Sequence, residues 1–308
     1  MEPPPQHERQ KMTSKSTIGF VGLGVMGEPM CANLVRKSGL PVWVFDQAHE
    51  PIARLVGQGA SAAPSLEALG AQADIVFLSL PSIAQVETVC TALMAAPIKP
   101  RLIVDMSTSD VARTRALADK LKTAGIALVD APVARTKEAA VSGTLFITVG
   151  ATAEQFQSLQ PLLSHMGSDV LHCGGTGCGQ VVKILNNIMV FMTVNALSEV
   201  LTIGRRSGMD GKELFDALSR GSADSFVLRN HGMKSLIPDT FPEKVFPVDY
   251  ALKDASLALA LAQQVDFEPH IASYTHDLLA KTKAAGFSQN YHPALIQLVD
   301  GRVSLTEA

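Results

Sequence analysis

From Thr17 to about His172 the chain alternates between two textures. Short apolar runs rich in β-branched and aromatic residues lie at 18–21, 42–45, 75–80, 102–105, 126–129, 145–149 and 170–172. Between them lie amphipathic stretches such as 82–93 and 111–124. A near-continuous apolar strand needs cover on both faces, and strands separated by helices are joined by crossovers. The pattern therefore predicts a doubly wound, parallel α/β sheet of the Rossmann type. After Gly179 the alternation stops, and helical periodicity takes over at 180–207, 211–218, 250–264 and 271–285. A helix from near Gly179 to near Gly208 would be ~40 Å long. It is the expected spine of an all-α C-terminal domain.

Composition narrows the class. The 308 residues are 47% hydrophobic and 18% charged, which excludes a disordered chain. A net charge of −3 gives no basic excess for nucleic acid or an anionic membrane surface, and neither is expected as a partner. Cys31, Cys90, Cys173 and Cys178 show no paired CxxC spacing, so no metal is expected, and a reducing, cytoplasmic setting fits. The longest apolar run, 184–196, is interrupted by Asn186, Asn187 and Asn195 and is shorter than the ~20 residues of a membrane span. Residues 1–15, polar and holding Pro3, Pro4 and Pro5, read as a flexible tail without the apolar core of a secretion signal.

The first apolar run leads straight into Gly22-Leu23-Gly24-Val25-Met26-Gly27 and then into a helical pattern carrying Met30, Leu34 and Val35. Three glycines alone are a weak signal, but this set follows a strand and opens a helix at the head of a βαβ unit. Gly22 would allow the tight turn, Gly24 would leave room for a pyrophosphate, and Gly27 would allow close helix packing. Asp46 ends the second run about twenty residues further on, where a carboxylate meets the adenosine ribose hydroxyls. It could instead cap a turn. As a ribose ligand it would repel a 2′-phosphate, which favours NAD, with NADP the less expected cofactor. The expected domains are then an NAD-binding domain at 16–176 and a helical substrate and oligomerisation domain at 177–308.

On the long helical stretch Gln180, Lys183, Asn186 and Asn187 share one narrow polar face among Val181, Val182, Ile184, Leu185, Ile188, Met189 and Val190. An ammonium buried there would lose its proton more readily and could act as an acid and base near neutral pH. Asn187, one turn on, could hold a substrate oxygen beside it. Periodicity leaves open a lysine that snorkels to the surface or pairs with a carboxylate. Lys253-Asp254 interrupts another alanine- and leucine-rich helix, and spacing does not distinguish a site from an exposed pair. His165, His172, His231, His270, His276 and His292 lack metal-ligand spacing, and no nucleophile-elbow motif is present.

These residues resemble the β-hydroxyacid dehydrogenase family, which includes 3-hydroxyisobutyrate dehydrogenase and tartronate semialdehyde reductase and is related to 6-phosphogluconate dehydrogenase. The resemblance runs from Ile18 to about Gly301 and is carried first by Gly19-Phe20-Val21-Gly22-Leu23-Gly24-Val25-Met26-Gly27-Glu28-Pro29-Met30 with Asn33-Leu34. Leu80-Pro81 and Asp105-Met106-Ser107-Thr108 resemble loops that line the nicotinamide side, implicating Leu80, Pro81 and Thr108. The family's G-x-x-G-x-G-x-x-x-K-x-x-x-N segment is matched by Gly174, Gly177, Gly179, Lys183 and Asn187, which implies that Lys183 is catalytic. Lys253 matches a late lysine that approaches nicotinamide and substrate. Where the family reads D-A-P-V-S-G-G, this chain has Asp130-Ala131-Pro132-Val133-Ala134-Arg135-Thr136. A similar Arg-Thr pair occurs in the sulfolactaldehyde reductase branch, although Val190 stands where that branch has serine.

The resemblance implies reversible oxidation of a short β-hydroxy acid, or a sulfonate analogue, to an aldehyde or ketone. In this reading Lys183 moves the hydroxyl proton, Asn186 and Asn187 hold the reacting oxygen, Arg135 and Thr136 clamp the anion, and Lys253 closes the site. One alternative is a reductase for a semialdehyde such as sulfolactaldehyde or tartronate semialdehyde. Another, of a different class, is a non-catalytic dinucleotide sensor or scaffold. The apolar second domain is expected to make a homodimer or homotetramer.

Overall fold

The computed structural model describes residues 16–243 and 245–304. The tail expected at 1–15 lies outside these residues. Nine strands among them form one sheet: β1 (Ile18–Val21), β2 (Val42–Phe45), β3 (Ser61–Ala62), β4 (Ile75–Leu78), β5 (Leu102–Asp105), β6 (Ala127–Asp130), β7 (Val133–Ala134), β8 (Leu145–Gly150) and β9 (Gly167–Gly174). Their order is β3-β2-β1-β4-β5-β6-β8-β7, with β9 paired to β8. From β3 to β6 all pairs are parallel. Strand order reverses between β1 and β4, the switch point at which open α/β sheets bind ligands.

Side chains alternate between two cores, as a doubly wound sheet requires. Ile18, Phe20, Ile75, Phe77, Leu102 and Val104 enter one core, while Val21, Val76, Leu78 and Ile103 enter the other. The connecting helices begin where the sequence supplies caps. Ser82 accepts from the Ala84 N–H, and Asp110 from the Arg113 N–H at 2.8 Å. The parallel pairing expected from the pattern runs as far as β6. Strand β8 runs antiparallel to β6 and β7, and β9 then runs parallel to β8. Pro132, which has no N–H to give a ladder, separates β6 from β7.

The long helix spans Cys178–Arg206, 29 residues. Contacts divide the chain within it, into units of residues 1–183 and 184–308, whereas the sequence suggested a boundary between 176 and 177. In the second unit the helix buries Ile184, Ile188, Phe191, Val194, Leu197 and Leu201. Helices Gly211–Leu218, Val248–Gln263 and His270–Thr282 follow, with a wider π-helical segment at Leu228–Leu236. By length and composition alone the long helix could cross a membrane, but 44% of its most apolar window is buried in the fold.

Candidate active site

The glycine-rich turn lies between β1 and the helix Gly27–Lys37. Gly22 has φ +91°, and a Cβ there would lie 2.2 Å from the Ser79 carbonyl oxygen. A Cβ on Gly27 would lie 1.9 Å from the Gly22 carbonyl oxygen. Both glycines are therefore demanded by the fold itself. Gly24 differs: a Cβ there would meet nothing of the chain within 4 Å. Open space at this position, beside a helix start with no side-chain cap, fits a pyrophosphate resting on backbone N–H groups. Asp46 serves the turn it was alternatively read to serve. Its carboxylate accepts the Ala48 N–H at 2.8 Å and, across the loop, the Leu23 N–H at 2.5 Å. The same group thus ties the glycine turn to the end of β2, where the ribose is expected.

A buried polar network holds the next two loops. Asp105 ends β5 and accepts the Ser107 N–H and the Ser109 hydroxyl, each at 2.9 Å. The Ser107 hydroxyl oxygen accepts the Leu80 N–H at 2.9 Å, joining the loop after β4 to the loop after β5. Gln180 is fully buried on the first turn of the long helix. Its side chain donates to the Ser107 carbonyl at 2.8 Å and accepts the Ser109 N–H at 3.0 Å, bracketing Thr108 from both sides. Leu80 and Thr108 are half-buried and Pro81 is exposed. Asp130, at the end of β6, accepts the Gly177 N–H at 2.6 Å and the Gln180 N–H at 2.9 Å.

Lys183 is half-buried rather than sealed from water as its apolar neighbours suggested. Asn187, one helical turn on, is buried, and Asn186 beside it is exposed. Asn187 donates to the Asp254 carboxylate at 2.7 Å and accepts from Asn186 at 3.2 Å. The other Asp254 oxygen lies 3.0 Å from the Lys253 ammonium, and Asp254 itself is 4% exposed. One buried carboxylate therefore orients Asn187 and Lys253 together, so this lysine-aspartate pair is not a solvated surface pair.

Arg135 and Thr136 are both exposed. Arg135 has φ +87°, a left-handed conformation that costs a non-glycine residue energy and lies where the family pattern has glycine. Its guanidinium donates to the Thr144 carbonyl at 2.7 Å and the Ser168 hydroxyl at 3.0 Å, and pairs with Asp169. The forked clamp expected for a substrate anion is therefore engaged by a carboxylate of the chain itself, on β9.

The roles of Asp130, Gln180 and Asp254 are not legible in the motifs that contain them. Their partners are 47 to 73 residues away along the chain, a separation that local periodicity cannot register. A Ser256–His276–Asp277 constellation also exists, with 3.1 Å and 3.3 Å contacts. The Ser256 hydroxyl donates its one proton to the Leu252 carbonyl at 2.9 Å, so it is engaged by its own helix backbone rather than held for an activating base.

A bare glycine turn lies at the switch point of the sheet, and comparison with known proteins makes the chain an NAD(P)-binding oxidoreductase acting on hydroxyl groups. Residues 17–175 match the model of the NAD binding domain of 6-phosphogluconate dehydrogenase, and residues 177–299 that of the NAD-binding domain of NADP-dependent 3-hydroxyisobutyrate dehydrogenase. The chain belongs to the β-hydroxyacid dehydrogenase family. It is 33% identical over 290 residues to 2-(hydroxymethyl)glutarate dehydrogenase of Eubacterium barkeri, covering 93% of this chain and 96% of the relative. It is also 33% identical over 294 residues to 2-hydroxy-3-oxopropionate reductase of Escherichia coli, covering 92% and 97%. Among solved structures, 3-hydroxyisobutyrate dehydrogenase of Mycobacterium tuberculosis with L-serine matches at TM-score 0.84 and 28% identity, covering 92% of this chain and 99% of that one.

Proposed function

We propose that this protein interconverts a short β-hydroxy acid, or a sulfonate analogue, and its aldehyde or ketone, with NAD(H) as the redox partner. The observation that carries the reading is the polar face of the long helix, with Lys183 one turn before an Asn187 whose amide is oriented by buried Asp254. The nicotinamide, when bound, supplies the hydride acceptor or donor for the carbinol carbon. In oxidation the Lys183 Nζ takes the hydroxyl proton as the carbonyl forms, and in reduction it returns that proton. Asn187, with Asn186, orients the reacting oxygen. Gly22, Leu23, Gly24, Val25, Met26 and Gly27 would cradle the pyrophosphate, Asp46 would receive the ribose, and Leu80, Pro81 and Thr108 would serve the nicotinamide side. Lys253, held by Asp254, is the late lysine to which the family resemblance gives a role toward nicotinamide and substrate. A carboxylate at position 46 favours NAD over NADP.

Arg135 and Thr136 form the anion side of this reading. The guanidinium already grips one carboxylate, so its chemistry suits an anionic head group, and a substrate anion would compete with Asp169 for it. Two relatives named for hydroxy acid or semialdehyde substrates, and a solved relative holding the β-hydroxy acid L-serine, support this substrate class. The reductase among them favours a second reading, semialdehyde reduction, in which the same residues run in the opposite direction. Leu185, Met189, Val200 and Ile203 lie exposed along one face of the long helix, which supports a homodimer or homotetramer. Four free cysteines suit the cytoplasmic setting read from the sequence.

The test is Lys183→Ala, followed by NADH absorbance against a panel of carboxylate and sulfonate hydroxy acids and semialdehydes. Turnover is expected to fall by about a hundredfold or more while NAD affinity stays unchanged. Near-normal turnover by the variant would remove the lysine from the chemistry.

A further inference from the structure

We propose that Asp130 is the positioning residue for the acid/base amine, its carboxylate capping the N-terminus of the helix that carries Lys183 and fixing the height and rotation of that helix. The inference rests on the reading of Lys183 given above. A helix start leaves N–H groups without intrahelical partners, and a side chain close by in sequence commonly takes them. Here that carboxylate arrives from the end of β6, 47 residues before Gly177 and 50 before Gln180. One oxygen takes the Gly177 N–H and the other takes the Gln180 N–H. Lys183 follows Gln180 by one helical turn, so the capped turn sets where its side chain starts.

The surroundings are cut to this carboxylate. A Cβ on Gly150 would lie 2.3 Å from the Asp130 Oδ1, and one on Gly179 would lie 2.8 Å from Oδ2. The glycine at 179, part of the family-like G-x-x-G-x-G run, is bare because the Thr148 carbonyl oxygen, 2.4 Å from where its Cβ would lie, and then the Asp130 carboxylate fill the space its side chain would need. Gly177, with φ +90°, turns its N–H into the same socket. Negative charge at a helix N-terminus is favourable, and N–H bonds to an ionised oxygen are stronger than those to a neutral one.

The socket also makes the cap sensitive to acid. Burial pushes the Asp130 carboxyl up to about 6, against the opposing pull of the Gly177 and Gln180 N–H bonds. The titratable groups facing it are Asp105 at the end of β5, whose charge adds to the rise, and the Cys173 thiol on β9. On protonation one oxygen becomes a hydroxyl and a poorer acceptor, so one N–H loses its charge-assisted bond. Turnover should then fall as pH drops through about 6, in step with protonation of Asp130.

Two measurements test this. In the full-length wild-type protein, the amide resonances of Gly177 and Gln180 should titrate together with a midpoint near about 6 that coincides with the acid limb of kcat. In Asp130→Asn, NAD affinity should stay close to wild type, with a cooperative melt showing that the fold is retained. The variant's kcat should drop by about tenfold to a hundredfold, the scale set by a misplacement of about 1 Å, with KM changed less and the acid limb gone. Amides that do not titrate, or an Asp130→Asn enzyme with wild-type kcat and an unaltered acid limb, overturn the proposal. If the variant does not fold, the wild-type comparison decides: a kcat limb that misses the amide midpoint refutes the assignment. Inactive Lys183→Ala beside fully active Asp130→Asn defeats positioning alone. Wild-type enzyme with no turnover on any hydroxy acid defeats the functional reading, and the positioning role falls with it.

Discussion

Replacing Gly24 by alanine separates what the glycine turn does for the fold from what it does for a ligand. The added methyl would meet no atom of the chain within 4 Å, and Gly24 is not among the glycines with positive φ. The folded state can therefore accept alanine without strain, and stiffening of the unfolded chain should raise stability slightly, by about 0.4–1 kcal/mol. The cost falls on the dinucleotide. A methyl pushed into a close contact costs about 1–3 kcal/mol, which is about fivefold to about 150-fold in Kd. Gly27→Ala is the contrast, because its Cβ would sit 1.9 Å from the Gly22 carbonyl oxygen, a contact only backbone movement can relieve. That variant should lose stability, by about 2 kcal/mol or more, before any cofactor is added. NADH fluorescence titration and thermal melting without cofactor, run on both variants, make the comparison. A Gly24→Ala protein that binds NADH like wild type, or that melts well below it, would refute the assignment of this open space to the pyrophosphate.

Asp254→Asn should keep an acceptor for Asn187 but remove the charge facing Lys253, and charge-assisted hydrogen bonds contribute about 1.5–3 kcal/mol. Steady-state kinetics should show kcat lower by about tenfold or more with the fold retained; unchanged kcat would mean that neither partner needs the carboxylate. His231 and His292 pack with ring centroids 5.4 Å apart, and burial holds the first at about 4 and the second well below 6.5. Below 6.5 the unfolded chain takes up protons that these folded histidines refuse, so their contribution to stability is lost as pH falls. His231 alone accounts for about 2 kcal/mol between about pH 7 and about pH 5. Asp130, raised in the folded state, works in the opposite direction. Urea unfolding at both pH values should therefore show a smaller acid loss in His231→Gln than in wild type, and equal losses would show that the ring is not held neutral.

The sheet was legible because its strands are apolar on both faces: 18–21, 42–45 and 102–105 fall where the sequence placed them. Strands β3 and β7 escaped because two residues carry no periodicity, and β3 is fully exposed. The antiparallel turn of the sheet after β6 depends on Pro132 and on pairing between Asp130 and Gly150, which a reading of local texture does not contain. Within the site, Gly22, Gly24, Gly27 and Asp46 were readable from spacing. Lys183 and Asn187 needed the family resemblance to rise above an ambiguous polar stripe. Arg135 shows where composition misleads: its charge was plain, but its partner Asp169 is 34 residues away and was not. Asp130, Gln180 and Asp254 act through distant backbone and side-chain groups, which only the folded chain brings near.

The grip of Gln180 on the loop after β5 has an implication for change at this site. Its amide holds main-chain atoms only, the carbonyl before Thr108 and the N–H after it. The shape of that loop is thus uncoupled from the side chain at its tip. Variation at 108, in evolution or in the laboratory, can retune the chemistry offered there and leave the scaffold behind it intact, provided an amide remains at 180 to read both strands of the peptide.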